Sequence, residues 1–524
     1  MRGSTWTRSA GRLLALLAVT ALVAVGCSSD DGGGDDAGSP TETTTVKQLE
    51  ELRVAYDLAG PRRGPFGWDP SKAASPVADI GIWQWVYGGL MRAEADGTLV
   101  PDLAESVDLV DDTTIEVKLR PGVTLSDGTP VDAAMVKASL DANLAQKGVA
   151  KSFSADFFKL SSVEVVDPST LRLTIPDGTA AGWLDSFISS QETLVVPQGT
   201  NFDKPVGAGP YTVSQYTPQT SATLVKNPAY WNADEVHIDE IQLVNASDAV
   251  ATVNALNAGQ VDWAPRLEVA SIPAVQSKFT VSTLPTDNFL VSLAMCKSTP
   301  PFDDERVREA ISLAIDRDAV SEAVFEGDAQ PTTGIFLDGS PYHDPDLTTD
   351  GSFDPQRAKE LLAEAGLASG FTFDLAQQLA GNSAEVAQVV QQQLADIGVT
   401  MNLVPVQNYA TEFLTNKIAP VGISPNLPGR PLEKLRSWSG ATISNTCAYK
   451  DPDLDARLLE LNKTKVDSPE AQQLVQEYEK EVADQHLSVF IAFRPNIVAY
   501  DAQKIGGDLP VAFYNIQVPD IWAL

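Results

Sequence analysis

Two hydrophobic periodicities divide the chain. In the first half apolar and polar residues alternate over short runs. Leu52-Arg53-Val54-Ala55-Tyr56, Thr114-Ile115-Glu116-Val117-Lys118-Leu119 and Thr170-Leu171-Arg172-Leu173-Thr174-Ile175 carry the period of two that predicts strands. The tripeptide Asp-Gly-Thr, starting at Asp96, Asp127 and Asp177, lies beside such runs and reads as turn chemistry, because Gly tolerates positive φ. Between the second and third strands, Asp132 to Leu144 has helical spacing, with Asp132 placed as the N-cap. This half is therefore mixed α and β with many antiparallel pairs.

Beyond Thr286 the spacing turns helical. Asp304 to Phe325 is a long amphipathic stretch with a break expected near Asp316. Asp354 to Gly366 and Ser383 to Gly398 each end in a glycine suited to the C′ position. In the second of these, Val386, Val389, Val390, Leu394 and Ile397 make one apolar face. The strand Val399 to Val404 follows, and the helix Ser468 to Gln485 precedes an apolar strand, Leu487 to Phe493. Repeated helix-then-strand predicts an α/β lobe distinct from the first half.

The first residues read as an address label. Arg2, Arg8 and Arg12 precede an apolar run from Leu13 to Val25, too short for the roughly 20 residues that cross a bilayer but suited to a secretory signal. Leu22 to Gly26 before Cys27 resembles the lipobox of bacterial lipoproteins, which implies lipidation of Cys27 and membrane anchoring through its acyl chains. Ser28 to Thr45 has nothing to bury and reads as a flexible tether. Two thiols remain in the mature chain, Cys296 and Cys447; outside the cytoplasm such a pair is expected as a disulfide.

Composition narrows the function. With 70 acidic and 37 basic residues the net charge is −33, which opposes a nucleic-acid partner because such binding relies on Lys and Arg. Three histidines, His237, His343 and His486, leave little material for a His-rich metal centre, and no metal or cofactor is expected. No Gly-x-Ser-x-Gly elbow, His-Glu-x-x-His helix or phosphate loop is present. Gly207-Ala208-Gly209 starts like a dinucleotide fingerprint but runs into Pro210. Asp451-Pro452-Asp453-Leu454-Asp455 imitates a calcium loop, yet Ala456 holds the glycine position; capping of the helix through Leu461 is the simpler reading.

Several blocks in order resemble family 5 of the extracytoplasmic solute-binding proteins, receptors of peptide and nickel ABC importers. They are Tyr87 to Leu90 with Pro101 to Ser106; Leu119 to Val123 with Ser126 to Val131; and Gly207 to Tyr211 with Lys226 to Trp231. Ala255 to Asp262, Pro301 to Arg308, Ala314 to Arg317, Phe353 to Pro355, Leu361 to Gly366 and Gln391 to Gly398 complete the series. The resemblance implies an α/β fold of the two-lobed periplasmic-binding-protein type, with mixed sheets, a hinge and an extra subdomain in the first lobe. The expected division is 1–26 signal, 27–45 lipidated tether, 46–285 first lobe with the subdomain around 85–200, 286–486 second lobe, and 487–524 returning to the first.

It also implies no enzymatic activity: a monomeric lipoprotein captures a solute between its lobes and delivers it to a membrane permease served by an ATPase. An oligopeptide is the default ligand and a non-peptide such as an oligosaccharide the alternative; a secreted lipoprotein hydrolase is the alternative of another class. In peptide-binding relatives a Gly-Trp-x-x-Asp-Tyr-Pro-Asp-Pro segment supplies an aspartate for the ligand's ammonium. The matching stretch here, Gly422 to Arg430, puts Asn426 at that aspartate. Arg436, Trp438 and Asn445 would complete this wall. From the first lobe, Tyr56, Trp68, Trp83 and Trp85 border the expected cleft, and Asn288 sits in the crossover.

Overall fold

The computed structural model describes residues 47–59, 66–72, 76–93, 99–144, 160–186, 193–284, 289–349, 351–378, 382–424, 430–439, 445–507 and 521–523. The leader, Cys27, the tether, the Asp96 turn, Asn288 and Asn426 lie outside them.

Two sheets organise the body. The first has seven strands in the order Thr280–Leu284, Asn496–Tyr500, Trp263–Leu267, Leu49–Tyr56, Ile238–Asn245, Ser221–Lys226, Tyr211–Thr217. Leu49–Tyr56 runs parallel to both of its neighbours, and the remaining pairs are antiparallel. The alternation seen in sequence places Leu52, Val54 and Tyr56 in the core. The second sheet has six strands in the order Gln330–Pro331, Ser488–Phe493, Leu290–Met295, Val421–Ser424, Thr372–Gln378, Thr400–Val406. Against one of its faces the helices Glu305–Leu313, Arg317–Phe325, Pro355–Glu364 and Ser383–Asp396 bury Val307, Ile311, Val320, Leu361, Val386, Val390 and Leu394. The break near Asp316 has a simple cause: its carboxylate accepts from the Ala319 N–H at 2.9 Å and starts a new helix.

A third, antiparallel sheet, Ala104–Asp111, Thr114–Leu119, Thr170–Thr174, Ser162–Asp167, packs Ile115, Val117, Leu171 and Leu173 against the helices Ala133–Leu144 and Ala180–Ser186. The chain passes from the first sheet to the second between Leu284 and Leu290, and returns between Phe493 and Asn496. One expectation changes here. The division at 487 places the strand Leu487 to Phe493 in the return, but Ser488–Phe493 pairs with Leu290–Met295 inside the second sheet and is buried at every position. A strand covered on both faces has no alternation to reveal which sheet it joins; the return begins at Asn496. The two crossings touch: the Arg494 N–H donates to the Phe289 carbonyl at 3.0 Å, and its guanidinium lies 4.0 Å from the Phe289 ring centre.

The sequence blocks serve this frame. Asp102 is buried, and its carboxylate accepts from the Tyr230 hydroxyl at 3.0 Å and Trp231 Nε1 at 2.9 Å. Arg120 donates to the Asp102 carbonyl at 2.6 Å and stacks over Trp231 at 3.7 Å. Three separate blocks thus meet at one polar knot. Gly207 and Gly209 pass so close to the end of the helix Pro76–Tyr87 that a Cβ would lie 2.1 Å from the Val86 carbonyl and 2.5 Å from that of Trp85. The glycines permit packing and hold no phosphate. Among the described residues no helix is long and apolar enough to cross a membrane.

Candidate ligand cleft between the lobes

The lobes meet where the Ala180–Ser186 helix of the first rests on the helices Pro431–Leu435 and Pro452–Lys463 of the second. Trp183 anchors the short helix in the core of the four-stranded sheet. Gly182 makes the approach possible, because a Cβ there would lie 2.7 Å from the Asn462 Cα. From the same helix the Asp185 carboxylate, 3% exposed, pairs through Oδ1 with Arg430 Nε of the second lobe. Its Oδ2 is buried and has no hydrogen-bond partner among the described residues. Arg430 Nη2 lies 3.7 Å from Asp467, which accepts from the Tyr342 hydroxyl at 3.3 Å. Burial works against the Arg430 charge, but Asp185 and Asp467 outweigh it and raise its pKa.

The second-lobe wall is cationic. Arg430, Lys434 and Arg436 fall within seven residues of a chain whose net charge is −33. Lys434 is fully buried, its Nζ 5.5 Å from the Phe336 ring centre, and Arg436 Nη2 donates to Asn462 Oδ1 at 3.0 Å. Arg436 also acts electrostatically on Asp185. Behind the wall, Cys296 and Cys447 are joined with their Cα atoms 5.2 Å apart, tying the loop that carries Asn445 to the strand Leu290–Met295. The neighbouring Lys297 is buried; desolvation, reinforced by Arg308 and Lys417, lowers its pKa to about 7.

The residues expected at the cleft divide accordingly. Arg436 stands at the interlobe contact. Asn445 is buried and donates Nδ2 to the Tyr449 carbonyl at 2.7 Å, fixing its own loop. Trp438 packs edge-on against Phe490 and donates Nε1 to Ser488 Oγ at 2.9 Å, a core position of the second lobe. Tyr56, Trp68, Trp83 and Trp85 are all buried in the first lobe. For Trp83 and Trp85 the cleft expectation gives way to packing: Trp83 Nε1 donates to the Gly67 carbonyl at 2.9 Å, and Trp85 packs on Tyr211. An aromatic pair at helical spacing reads the same whether its helix faces a core or a cleft. Sequence reasoning missed Gly182, Asp185, Arg430, Lys434 and Asn462. The basic cluster 430–436 was a usable signal; nothing marked the short helix carrying Asp185. Asp451 caps its helix, accepting from the N–H groups of Asp453 and Leu454.

The sequence model described as bacterial extracellular solute-binding proteins, family 5 Middle, matches residues 98–431. The chain belongs to this family. A family 5 protein is an extracytoplasmic solute-binding component of an ABC importer, works with permease and ATPase subunits, and is not an enzyme. The glutathione-binding protein GsiB of Pectobacterium atrosepticum is 27% identical over 463 residues, 83% of this chain and 88% of that one. Solved structures share the fold. AgaA from A. tumefaciens, in complex with agropinic acid, has 23% identity and a TM-score of 0.75 over 91% of this chain and 98% of that one. DppA from Helicobacter pylori, in complex with the peptide STSA, has 17% identity and a TM-score of 0.74 over 91% and 98%.

Proposed function

We propose that this family 5 protein is the lipid-anchored, monomeric receptor of an importer for short, zwitterionic, peptide-like solutes. The observation that carries this reading is the division of charge across the lobe contact. The first lobe offers Asp185, whose Oδ2 is a buried acceptor without a donor among the described residues, and the second offers the cations Arg430, Lys434 and Arg436. A ligand with an ammonium group and one or more carboxylates matches both sides. Asp185 then supplies the carboxylate that Asn426 does not. A neutral oligosaccharide carries no ammonium for Asp185 Oδ2 and no carboxylate for the cations opposite. The relative named for glutathione, a tripeptide with two carboxylates and one amine, supports the same class.

Closure follows from differential affinity: the ligand touches both lobes only when they are shut. Thermal unfolding of the body Val46–Leu524, which forms one compact unit, tests the reading. Glutathione or a short acidic peptide at about 100 times its dissociation constant adds about 2.7 kcal/mol of stability. Asp185→Asn weakens that response, and oligosaccharides give none. A response to oligosaccharides alone, or peptide binding indifferent to Asp185→Asn, refutes the proposal. Lipid anchoring rests on Cys27; Cys27→Ala is expected to release the protein from membranes during fractionation.

A further inference from the structure

Beneath the cationic wall of the second lobe runs a loop, residues 332–349, that forms no helix or strand. Two of its rings reach the wall. The Phe336 ring centre is 5.5 Å from Lys434 Nζ and 5.8 Å from that of Tyr342. The Tyr342 hydroxyl donates to Asp467 at 3.3 Å, and Asp467 stands 3.7 Å from Arg430 Nη2. Where this loop sits therefore bears on where both cations sit.

The helix Pro469–Asp484 holds the loop, chiefly through one carboxylate. Glu479 is fully buried; its Oε1 accepts from the N–H groups of Ile335 and Phe336 at 2.6 and 2.9 Å, and its Oε2 from that of Asp344 at 2.7 Å. Gln476 adds a bond from its side-chain amide to the Pro341 carbonyl at 3.0 Å. His343 completes the attachment, with Nδ1 3.3 Å from Glu479 Oε2 and Nε2 3.4 Å from Asp338 Oδ1. A neutral imidazole donates through one nitrogen and an imidazolium through both, so an acid at each end favours the charged ring. The hydrogen bond to Glu479, helped by the charges of Glu479 and Asp338, outweighs burial and raises the His343 pKa above the ordinary 6.5. Of the other charged groups nearby, Asp344 and Asp346 of the loop act on Lys480 of the helix, which pairs with Asp484. His343 and Asp338 line a cavity of about 330 Å3 that gives protons access to the ring.

We propose that His343 makes this loop a pH-sensitive support of the ligand wall: as imidazolium it clamps the loop between Glu479 and Asp338, and so keeps Phe336 and Tyr342 beneath Lys434 and Arg430. The inference rests on the reading of that wall as the solute's anion site. Losing the proton leaves a ring lone pair facing the Asp338 carboxylate, and the turn from Asp338 to His343 loosens. Because the folded pKa is raised, the clamp is fully present below about pH 6.5 and is lost as pH rises through the folded value. Affinity for an acidic peptide-like solute falls over the same range. Reciprocally, a solute that needs the docked loop raises the His343 pKa further.

Calorimetric titration of the body Val46–Leu524 with glutathione from about pH 5.5 to about pH 8.5 tests the support. Parent affinity is expected to fall about threefold to tenfold, tenfold corresponding to a pKa raised one unit by binding. His343→Gln keeps a donor for Glu479 but has no proton to lose, and its affinity lacks that fall. Lys297, with its pKa near 7, titrates in both proteins and cancels from the comparison. Asp338→Asn changes a side chain that is 73% exposed, so folding is not at stake, and it moves the midpoint of the fall to lower pH. Without any ligand, exchange of the Ile335, Phe336 and Asp344 amides, corrected for intrinsic rates, is expected to quicken through the His343 midpoint in the parent and not in His343→Gln. Parallel affinity profiles for parent and His343→Gln, or amide exchange indifferent to His343 protonation, overturn the proposal. Glutathione failing to bind while the exchange response is intact supports the clamp and counts against the peptide-like ligand alone.

Discussion

Replacing Lys297 by methionine isolates the cost of a buried charge behind the binding wall. The ammonium is 4% exposed and has the Leu487 carbonyl at 3.4 Å and the Tyr449 ring at 5.0 Å, while Arg308 and Lys417 repel it. Burial first, and those two cations second, take its pKa from the ordinary 10.5 to about 7. The unfolded chain therefore holds more protons than the folded one between about pH 7 and about pH 10.5, and stability rises with pH across that window. Below the folded value both states are protonated and the full penalty is present; above the unfolded value both are neutral and it vanishes. The gap corresponds to about 5 kcal/mol, an upper bound because water reaching Nζ recovers part of it. Losing the weak bond to Leu487 subtracts about 1 kcal/mol from the gain. Lys297→Met is thus expected to be more stable than the parent by about 2 to 4 kcal/mol near pH 6, with the difference gone by about pH 10.5. Urea unfolding of both proteins at several pH values measures it. Parallel curves, or a variant less stable at every pH, would show that the folded state accommodates the charge without loss and would refute the reasoning.

Three further outcomes concern the second lobe and its contact with the first. Gly182→Val places side-chain atoms against the Asn462 backbone, so solution scattering should report a more open body and ligand affinity should fall at least about tenfold, with the melting temperature nearly unchanged. Cys447→Ser opens a loop of 151 residues; the chain-entropy relation gives at most about 5 kcal/mol of lost stability, read as a lower denaturation midpoint that parent protein shows only with reductant. Asp185→Asn and Arg430→Gln, measured singly and together by ligand titration, should couple by about 1 kcal/mol or more; strict additivity would mean the pair contributes nothing to closure.

Much of the frame was legible because its signals are local. The strand Thr114–Leu119 and the helix Ala133–Leu144 are set by patterns a dozen residues long or less, and Asp132, Asp316, Asp354 and Ser468 cap helices where their spacing places them. Asp127-Gly128-Thr129 turns as its chemistry requires, with Gly128 at φ +87° and the Thr129 N–H on the Asp127 carboxylate at 3.0 Å. The sheet that takes Ser488–Phe493 was not legible, since a strand buried on both faces carries no alternation. The aromatic residues misled for a related reason: Trp83 and Trp85 are as apolar as a cleft needs and as a core needs. Their partners, Gly67 and Tyr211, decide between the two, and Tyr211 is far along the chain.

The same distinction explains why family membership comes more readily than the ligand. The blocks that mark the family build joints: Asp102, Arg120, Tyr230 and Trp231 lock one layer to another, and Gly207 and Gly209 admit a helix end. Any family 5 receptor that shares those blocks has the same joints to make, whatever it carries. Selectivity needs groups whose charge and position suit one solute, and here they come from opposite lobes. Asp185 and Arg430 are 245 residues apart, and neither stands in a pattern that predicts the other. Their meeting depends on the hinge, on Gly182 and on the fold of both lobes at once. A charge on each wall becomes a ligand preference only after closure brings the walls together, so the specificity of such a receptor is written in its tertiary contacts and not in its periodicities.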